Sequence, residues 1–279
     1  MKILANDGIS SAGVKALEAA NYEVITVKVA QEQLISYINE NDIKALLVRS
    51  ATTARKDLVD ACPGLKLIGR GGVGMDNIDV AYAREKGVHV INTPAASSAS
   101  VAELVFAHLY GGVRFLYDSN RNMPLEGEAN FGSLKKAYAK GIELRGKTLG
   151  IIGFGRIGQE VAKIGLGVGM KVIAADPYSE GAKVPVSFFN GESIDVEINT
   201  QAMDSVLELA DFISLHVPAQ KEYVIDAKAL NKMKKGAGLV NAARGGVVDE
   251  VALVKALDDG HLAFAALDTF ENEPKPEVK

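Results

Sequence analysis

Short apolar runs alternate along this chain with stretches whose apolar positions recur every three or four residues. The runs Ile3–Ala5, Glu23–Val27, Ala45–Val48, Leu65–Ile68 and Val88–Ile91 read as strands. The stretches Ala12–Ala20, Gln31–Asn39, Lys56–Ala61 and Asp79–Lys86 carry the helical period. A second series has strands Leu149–Ile152, Val172–Ala175, Phe212–Val217, Gly238–Asn241 and Ala263–Leu267. Its helices are Gln159–Gly165, Ala202–Leu209, Ala227–Met233 and Glu250–Leu257. Continuously apolar strands joined by helical crossovers predict parallel sheets covered on both faces. The pattern therefore predicts two successive α/β units. A long apolar helix, Val101–Phe115, and a polar linker, Asp118–Lys147, separate them. Residues 177–201 read as an inserted hairpin with its turn at Asn190-Gly191.

The junction of strand Leu149–Ile152 with its helix carries chemistry. Gly153, Gly155 and Gly158 form a G-x-G-x-x-G turn, and Asp176 closes the next strand 18 residues after the last glycine. This is the dinucleotide fingerprint. The first glycine permits a sharp turn, the second removes a Cβ from the path of a pyrophosphate, and the third lets the helix pack close to the strand. The helix start, at Arg156 and Ile157, presents free N–H groups to phosphate. Asp176 would accept from the ribose diol and repel a 2′-phosphate, which favours NAD over NADP; its other reading is a plain turn cap. Gly69, Gly71 and Gly74 fit the same pattern, but the strand that follows ends in Asn92, not an acid, and Met75-Asp76-Asn77 reads as a turn. That cluster needs another use.

Composition narrows the picture. Hydrophobic residues make up 48% of 279, ample for real cores, and a net charge of −4 gives no electrostatic case for nucleic acid. The one cysteine, Cys62, can close no internal disulfide and anchors no metal cluster, which fits a reducing cytoplasm. Asn6-Asp7 interrupts the first apolar run, so it is not read as a signal peptide. No run reaches the ~20 residues of a membrane helix, so no membrane partner is expected.

Five further patches occur in order: Gly72–Asp79; Asn92-Thr93-Pro94 with Val101-Ala102-Glu103; Ser214–Pro218; Asn241–Gly246 with Val248-Asp249; and Ala266–Pro274. Together with the fingerprint they resemble the NAD-dependent D-2-hydroxyacid dehydrogenases over nearly the whole chain. Within that family, Val48–Thr52 and Ile68-Gly69-Arg70 resemble the branch that oxidises 3-phospho-D-glycerate to 3-phosphohydroxypyruvate in serine biosynthesis. The resemblance implies two doubly wound parallel-sheet domains, a Rossmann nucleotide domain (98–273) inserted in a flavodoxin-like substrate domain (1–97, returning at 274–279). It implies that Val73 and Gly74 bind the substrate carboxylate through backbone N–H groups, and that Arg49 and Arg70 pair with its phosphate. It assigns Arg244 to the substrate carboxylate and carbonyl, Glu273 to a histidine partner, Asp268 to the nicotinamide carboxamide and Ala242 to the cofactor side; Arg244 is also expected to touch the cofactor, and His216, at the end of a Rossmann strand, to lie near it. It also implies a homodimer formed through the nucleotide domain.

The residues alone support part of this. Ketone reduction develops negative charge on oxygen, which calls for a fixed cation and a proton donor. Arg244, Asp268 and Glu273 follow predicted strand ends on the rim where open α/β sheets bind ligands. Arg244 also reads as a carbonyl cap or a partner of Asp249, Glu273 as a solvated loop acid, and Arg49 and Arg70 as surface salt bridges. The family's acid is a histidine lying after the Glu-Pro motif, and the sequence ends at Lys279. His89 reads as structural, His108 as a packed or interface residue, His261 as a surface turn, and His216 is not the acid. The expectation is a chain truncated before that histidine, with NAD binding kept and turnover weak. The alternatives are a glyoxylate or hydroxypyruvate reductase, or a non-catalytic NAD(H)-sensing protein of the same fold.

Overall fold

A computed structural model describes residues 1–273; the expected return segment at 274–279 lies outside them. The chain divides into two compact units between Ser97 and Ser98.

The first unit runs β1 (Lys2–Ala5), α1 (Ser11–Ala19), β2 (Glu23–Ile25), α2 (Leu34–Glu40), β3 (Ile43–Val48), α3 (Lys56–Ala61), β4 (Leu67–Arg70), α4 (Val80–Glu85) and β5 (His89–Asn92). Its five strands are all parallel, in the order β2-β1-β3-β4-β5. The order reverses at β1, so the crevice at the carboxyl ends of β1 and β3 is where such a sheet takes a ligand. Leu4, Leu46, Val48 and Ile68 from the strands pack with Leu34, Ile38 and Leu58 from the helices. Strand β4 runs two residues further than the sequence predicts. Gly69 is a buried strand residue whose missing Cβ would lie 2.8 Å from the Leu47 side chain. It does not open a nucleotide turn, and that separates the first glycine cluster from the second.

The second unit opens with α5 (Ser98–Val113) and α6 (Leu116–Tyr138). It continues β6 (Thr148–Ile152), α7 (Arg156–Gly167), β7 (Lys171–Ala175), β8 (Gly181–Ser187), β9 (Ser193–Asn199), α8 (Met203–Leu209), β10 (Phe212–Leu215), α9 (Ala227–Lys232), β11 (Ala237–Asn241), α10 (Glu250–Asp258) and β12 (Leu262–Leu267). The sheet is again parallel, β12-β11-β10-β6-β7, with its order reversing at β6. Alternate strand residues feed separate cores on its two faces. Leu149, Ile151, Phe212 and Val240 pack with α5 and α7. Ile152, Ile213, Leu215 and Leu239 pack with α8, α9 and α10. Strands β8 and β9 form the expected antiparallel hairpin. Beyond it Thr200 bridges to Ala174, so the hairpin leads onto the β7 edge of the sheet.

The polar linker expected over Asp118–Lys147 is in large part helix: α6 spans 23 residues. Its breakers, Pro124, Gly127 and Gly132, hide it in the sequence. Asn130 has non-helical angles (φ −119°, ψ 17°). Asn122 nonetheless hydrogen-bonds the Tyr138 hydroxyl at 3.0 Å, a reach that sixteen residues of straight helix, ~24 Å, would forbid. The element is therefore two helical arms folded back at Asn130. The aromatic ring of Tyr138 also lies 6.2 Å from that of Phe115, and no residue of α6 is buried.

Candidate functional site

In the second unit, the turn between β6 and α7 and the end of β10 meet where the strand order reverses. Gly153 has φ +92°, and a Cβ there would lie 2.5 Å from the His216 carbonyl oxygen. A Cβ on Gly158 would overlap the Gly153 carbonyl, so the helix sits against the turn because both residues lack side chains. Gly155 caps α7, and nothing lies within 4 Å of its missing Cβ. Open space over bare backbone at a helix start is what a pyrophosphate needs. Arg156 and Ile157 are the first two helical residues. Asp176 stands at the end of β7, where its Oδ2 accepts from the Phe154 N–H (2.7 Å) and its Oδ1 from the Tyr178 N–H (2.8 Å). Each oxygen keeps a lone pair, so both the turn-cap reading and a ribose contact are compatible with this geometry. These residues fit a dinucleotide.

The His216 ring Nε2 lies 2.8 Å from Ser214 Oγ, and its Nδ1 is enclosed without a protein partner among the described residues. Burial drives the imidazole down to about 4, so the ring is neutral near pH 7.

A pocket of about 430 Å³ brings together Arg244, Thr269 and Glu273. Buried Asn241 shapes the first of its loops, donating to the Arg244 carbonyl (3.0 Å) and accepting from the Ala243 N–H (3.1 Å). Arg244 Nη1 donates to the Ala243 carbonyl at 2.7 Å. A Cβ on Gly245 would overlap the Phe270 carbonyl oxygen, so the loops after β11 and β12 touch through a glycine. Glu273 Oε1 accepts from the Phe270 N–H at 3.0 Å, and Glu250 accepts from the Glu271 N–H at 2.6 Å. The Glu271 carboxylate beside Tyr223 raises that phenol's pKa.

In the first unit, a cleft of about 830 Å³ at the carboxyl rim of the sheet is lined by Asp7, Arg49, Arg70 and Asn92 among others. Glycines floor it. A Cβ on Gly72 would lie 2.5 Å from Arg70 Nη1, and one on Gly71 would lie 3.7 Å from Arg49 Cγ. Gly72 thus leaves space for the Arg70 side chain, whereas a Cβ on Gly71 would only touch that of Arg49.

Residues 106–279 match the family described as D-isomer specific 2-hydroxyacid dehydrogenase, NAD binding domain. The chain belongs to this family of dehydrogenases. A D-3-phosphoglycerate dehydrogenase of Methanocaldococcus jannaschii is 41% identical over 98% of the chain, which spans only 50% of that protein. A hydroxypyruvate reductase of Thermotoga maritima is 41% identical over 90% of the chain and 76% of its own length. Among solved structures, the D-lactate dehydrogenase of Aquifex aeolicus complexed with NAD and lactic acid is 30% identical. It matches with a TM-score of 0.71 over 98% of this chain and 78% of that one. The cofactor of this dehydrogenase family is NAD.

The dehydrogenase residues singled out in the sequence fall into three groups. Gly153, Gly155, Arg156, Ile157, Gly158, Asp176 and His216 gather at the reversal point of the second sheet. Arg244 and Glu273 share a pocket; Ala242 lies beside it, and exposed Asp268 donates its N–H to the Asn241 carbonyl (2.9 Å). Arg49 and Arg70 share the cleft of the first unit, while Val73 and Gly74 follow its glycine floor. The Val73 carbonyl accepts from Asn92 (2.7 Å), and among the described residues the N–H groups of Val73 and Gly74 donate to no protein acceptor. His89 stands exposed on its strand, and His261 follows the Asp259-Gly260 turn with its ring 3.0 Å from the Leu230 carbonyl oxygen. Asp7, Thr52 and Asn77, which brace the Arg49 turn, were missed by sequence reasoning. An acid two residues past the first parallel strand was the available signal.

Proposed function

We propose that the protein oxidises the C2 hydroxyl of 3-phospho-D-glycerate to 3-phosphohydroxypyruvate with NAD, the reaction named in its D-3-phosphoglycerate dehydrogenase relatives. The observation that carries this is the pair Arg49 and Arg70 on one glycine-floored cleft. A guanidinium fork matches phosphate oxygens in charge and shape. In this reading Met1–Ser97 holds the substrate, with Val73 and Gly74 offering N–H groups to its carboxylate, and the part from Ser98 onward holds NAD.

Gly155, Arg156 and Ile157 would hold the pyrophosphate, Asp176 the adenosine ribose and Asp268 the nicotinamide carboxamide, with Ala242 and His216 against the cofactor. When bound, NAD supplies a hydride acceptor. Arg244 holds the carboxylate and stabilises charge on the reacting oxygen. Glu273 favours the protonated form of an adjacent base through its charge; among the described residues no histidine lines the pocket.

Titration calorimetry checks the phosphate assignment. Arg49→Ala and Arg70→Ala should each weaken 3-phospho-D-glycerate binding by about 10- to 100-fold, as loss of a charged hydrogen bond does, and leave D-glycerate nearly unchanged. Equal losses for both ligands would sink the reading in favour of an unphosphorylated substrate, which the hydroxypyruvate reductase likeness favours.

The protein is further proposed to be a homodimer joined through its second unit. Helix α6 buries nothing and exposes Leu116, Tyr117, Leu125 and Phe131. A cytoplasmic location suits Cys62, a buried free thiol; fractionation of producing cells tests it.

A further inference from the structure

We propose that Asp7, acting with Thr52 and Asn77, is a positioning residue that holds the Arg49 turn in place and so sets the cleft's preference for a phosphorylated acid. The inference rests on the phosphate reading of Arg49. The Arg49 guanidinium has no hydrogen-bond or ion-pair partner among the described residues, whereas its backbone is held at both ends. Its N–H donates to Asp7 Oδ2 at 2.6 Å, and its carbonyl accepts from Asn77 Nδ2 at 2.7 Å. Three residues on, the same two side chains hold Thr52. Asp7 Oδ2 accepts the Thr52 N–H (3.1 Å), Asp7 Oδ1 accepts the Thr52 hydroxyl (2.7 Å), and Asn77 Nδ2 donates to the Thr52 carbonyl (2.6 Å).

Buried Asn6 secures the far side, donating to Thr52 Oγ1 at 2.9 Å while pairing with both backbone groups of Val29. The four residues from Arg49 to Thr52 are thus a loop whose first and last residues have their backbone polar groups paired, while the Arg49 guanidinium is left for a ligand. A long side chain recognises an anion with least entropy loss when its base is fixed.

A carboxylate on the wall of an anion cleft would ordinarily repel the ligand. Asp7 directs its lone pairs at two N–H groups and a hydroxyl, which offsets its charge locally. Two accounts of Asp7 therefore predict opposite signs. If it acts by charge alone, Asp7→Asn should tighten binding of any anion. If it acts by holding the turn, Asp7→Asn should weaken the phosphorylated ligand selectively, because an amide presents one acceptor oxygen where the carboxylate presents two.

The experiment is calorimetric titration of the whole chain with 3-phospho-D-glycerate and with D-glycerate, for wild type, Asp7→Asn, Thr52→Val and Thr52→Ser. Thermal melts would confirm that each variant is folded. We expect Asp7→Asn and Thr52→Val to reduce the ratio of the two affinities about tenfold, and Thr52→Ser, which keeps the hydroxyl, to restore it. An unchanged ratio in Asp7→Asn, a tighter phosphorylated ligand, or equal losses for both ligands would overturn the proposal and leave the phosphate reading standing. A wild type that does not prefer the phosphorylated ligand would overturn both. Should Asp7→Asn fail to fold, the Thr52 pair decides the matter alone.

Discussion

His216 shows how one side chain's surroundings reach a bulk property. Its folded pKa of about 4 lies below its ordinary 6.5, so the unfolded chain binds the extra proton between those values. Stability must then rise with pH across that window. The contribution, up to about 3 kcal/mol, is fully present above 6.5 and is lost as pH falls through 4. Denaturant unfolding between pH 4 and 7 should show wild type losing more stability toward acid than His216→Gln. Parallel losses would place the acid sensitivity elsewhere. The residue's neighbourhood was hidden in the sequence, which marked a histidine at a strand end but not the Ser214 hydroxyl at 2.8 Å. Gly153 and Gly158 were legible because each answers a backbone demand that no other residue meets. Asp7 was not, because its partners lie more than forty positions away.

At the scale of elements, strands and crossover helices fell within about three residues of their expected bounds, since apolar runs and helical periods report directly on burial. Helix α6 escaped because periodicity betrays only helices with a buried stripe, and this one has none. The meeting of the loops after β11 and β12 was equally invisible, being a contact between segments that the sequence holds apart. It makes a prediction. Gly245→Ala places a methyl group on the Phe270 carbonyl, and backbone on both sides leaves little to yield. The variant should lose about 1–3 kcal/mol, read as a lower urea midpoint. A midpoint equal to wild type would mean that the two loops separate at little cost and do not brace Arg244 against Glu273.

For the whole molecule, the folded-back arms of α6 present large apolar side chains to solvent, Leu125 at 85% exposure among them. Patches of this kind commonly mark an association surface. Sedimentation velocity at micromolar concentration should give a dimer, and Leu125→Glu with Phe131→Glu should shift it toward monomer without altering the circular dichroism of the sheets. A wild-type monomer would overturn the dimer reading. The chain also spans about half the length of its phosphoglycerate dehydrogenase relatives.

Asp176 carries a consequence for how this lineage could change. Its two oxygens fasten the backbone at Phe154 and at Tyr178, so the side chain that would read the ribose is also a strut of the turn around it. Replacing it with a small or basic residue to admit a 2′-phosphate would unfasten both N–H groups in the same step. In this chain a shift to the phosphorylated cofactor would therefore call for new acceptors for the Phe154 and Tyr178 N–H groups as well as for a new contact to the added phosphate.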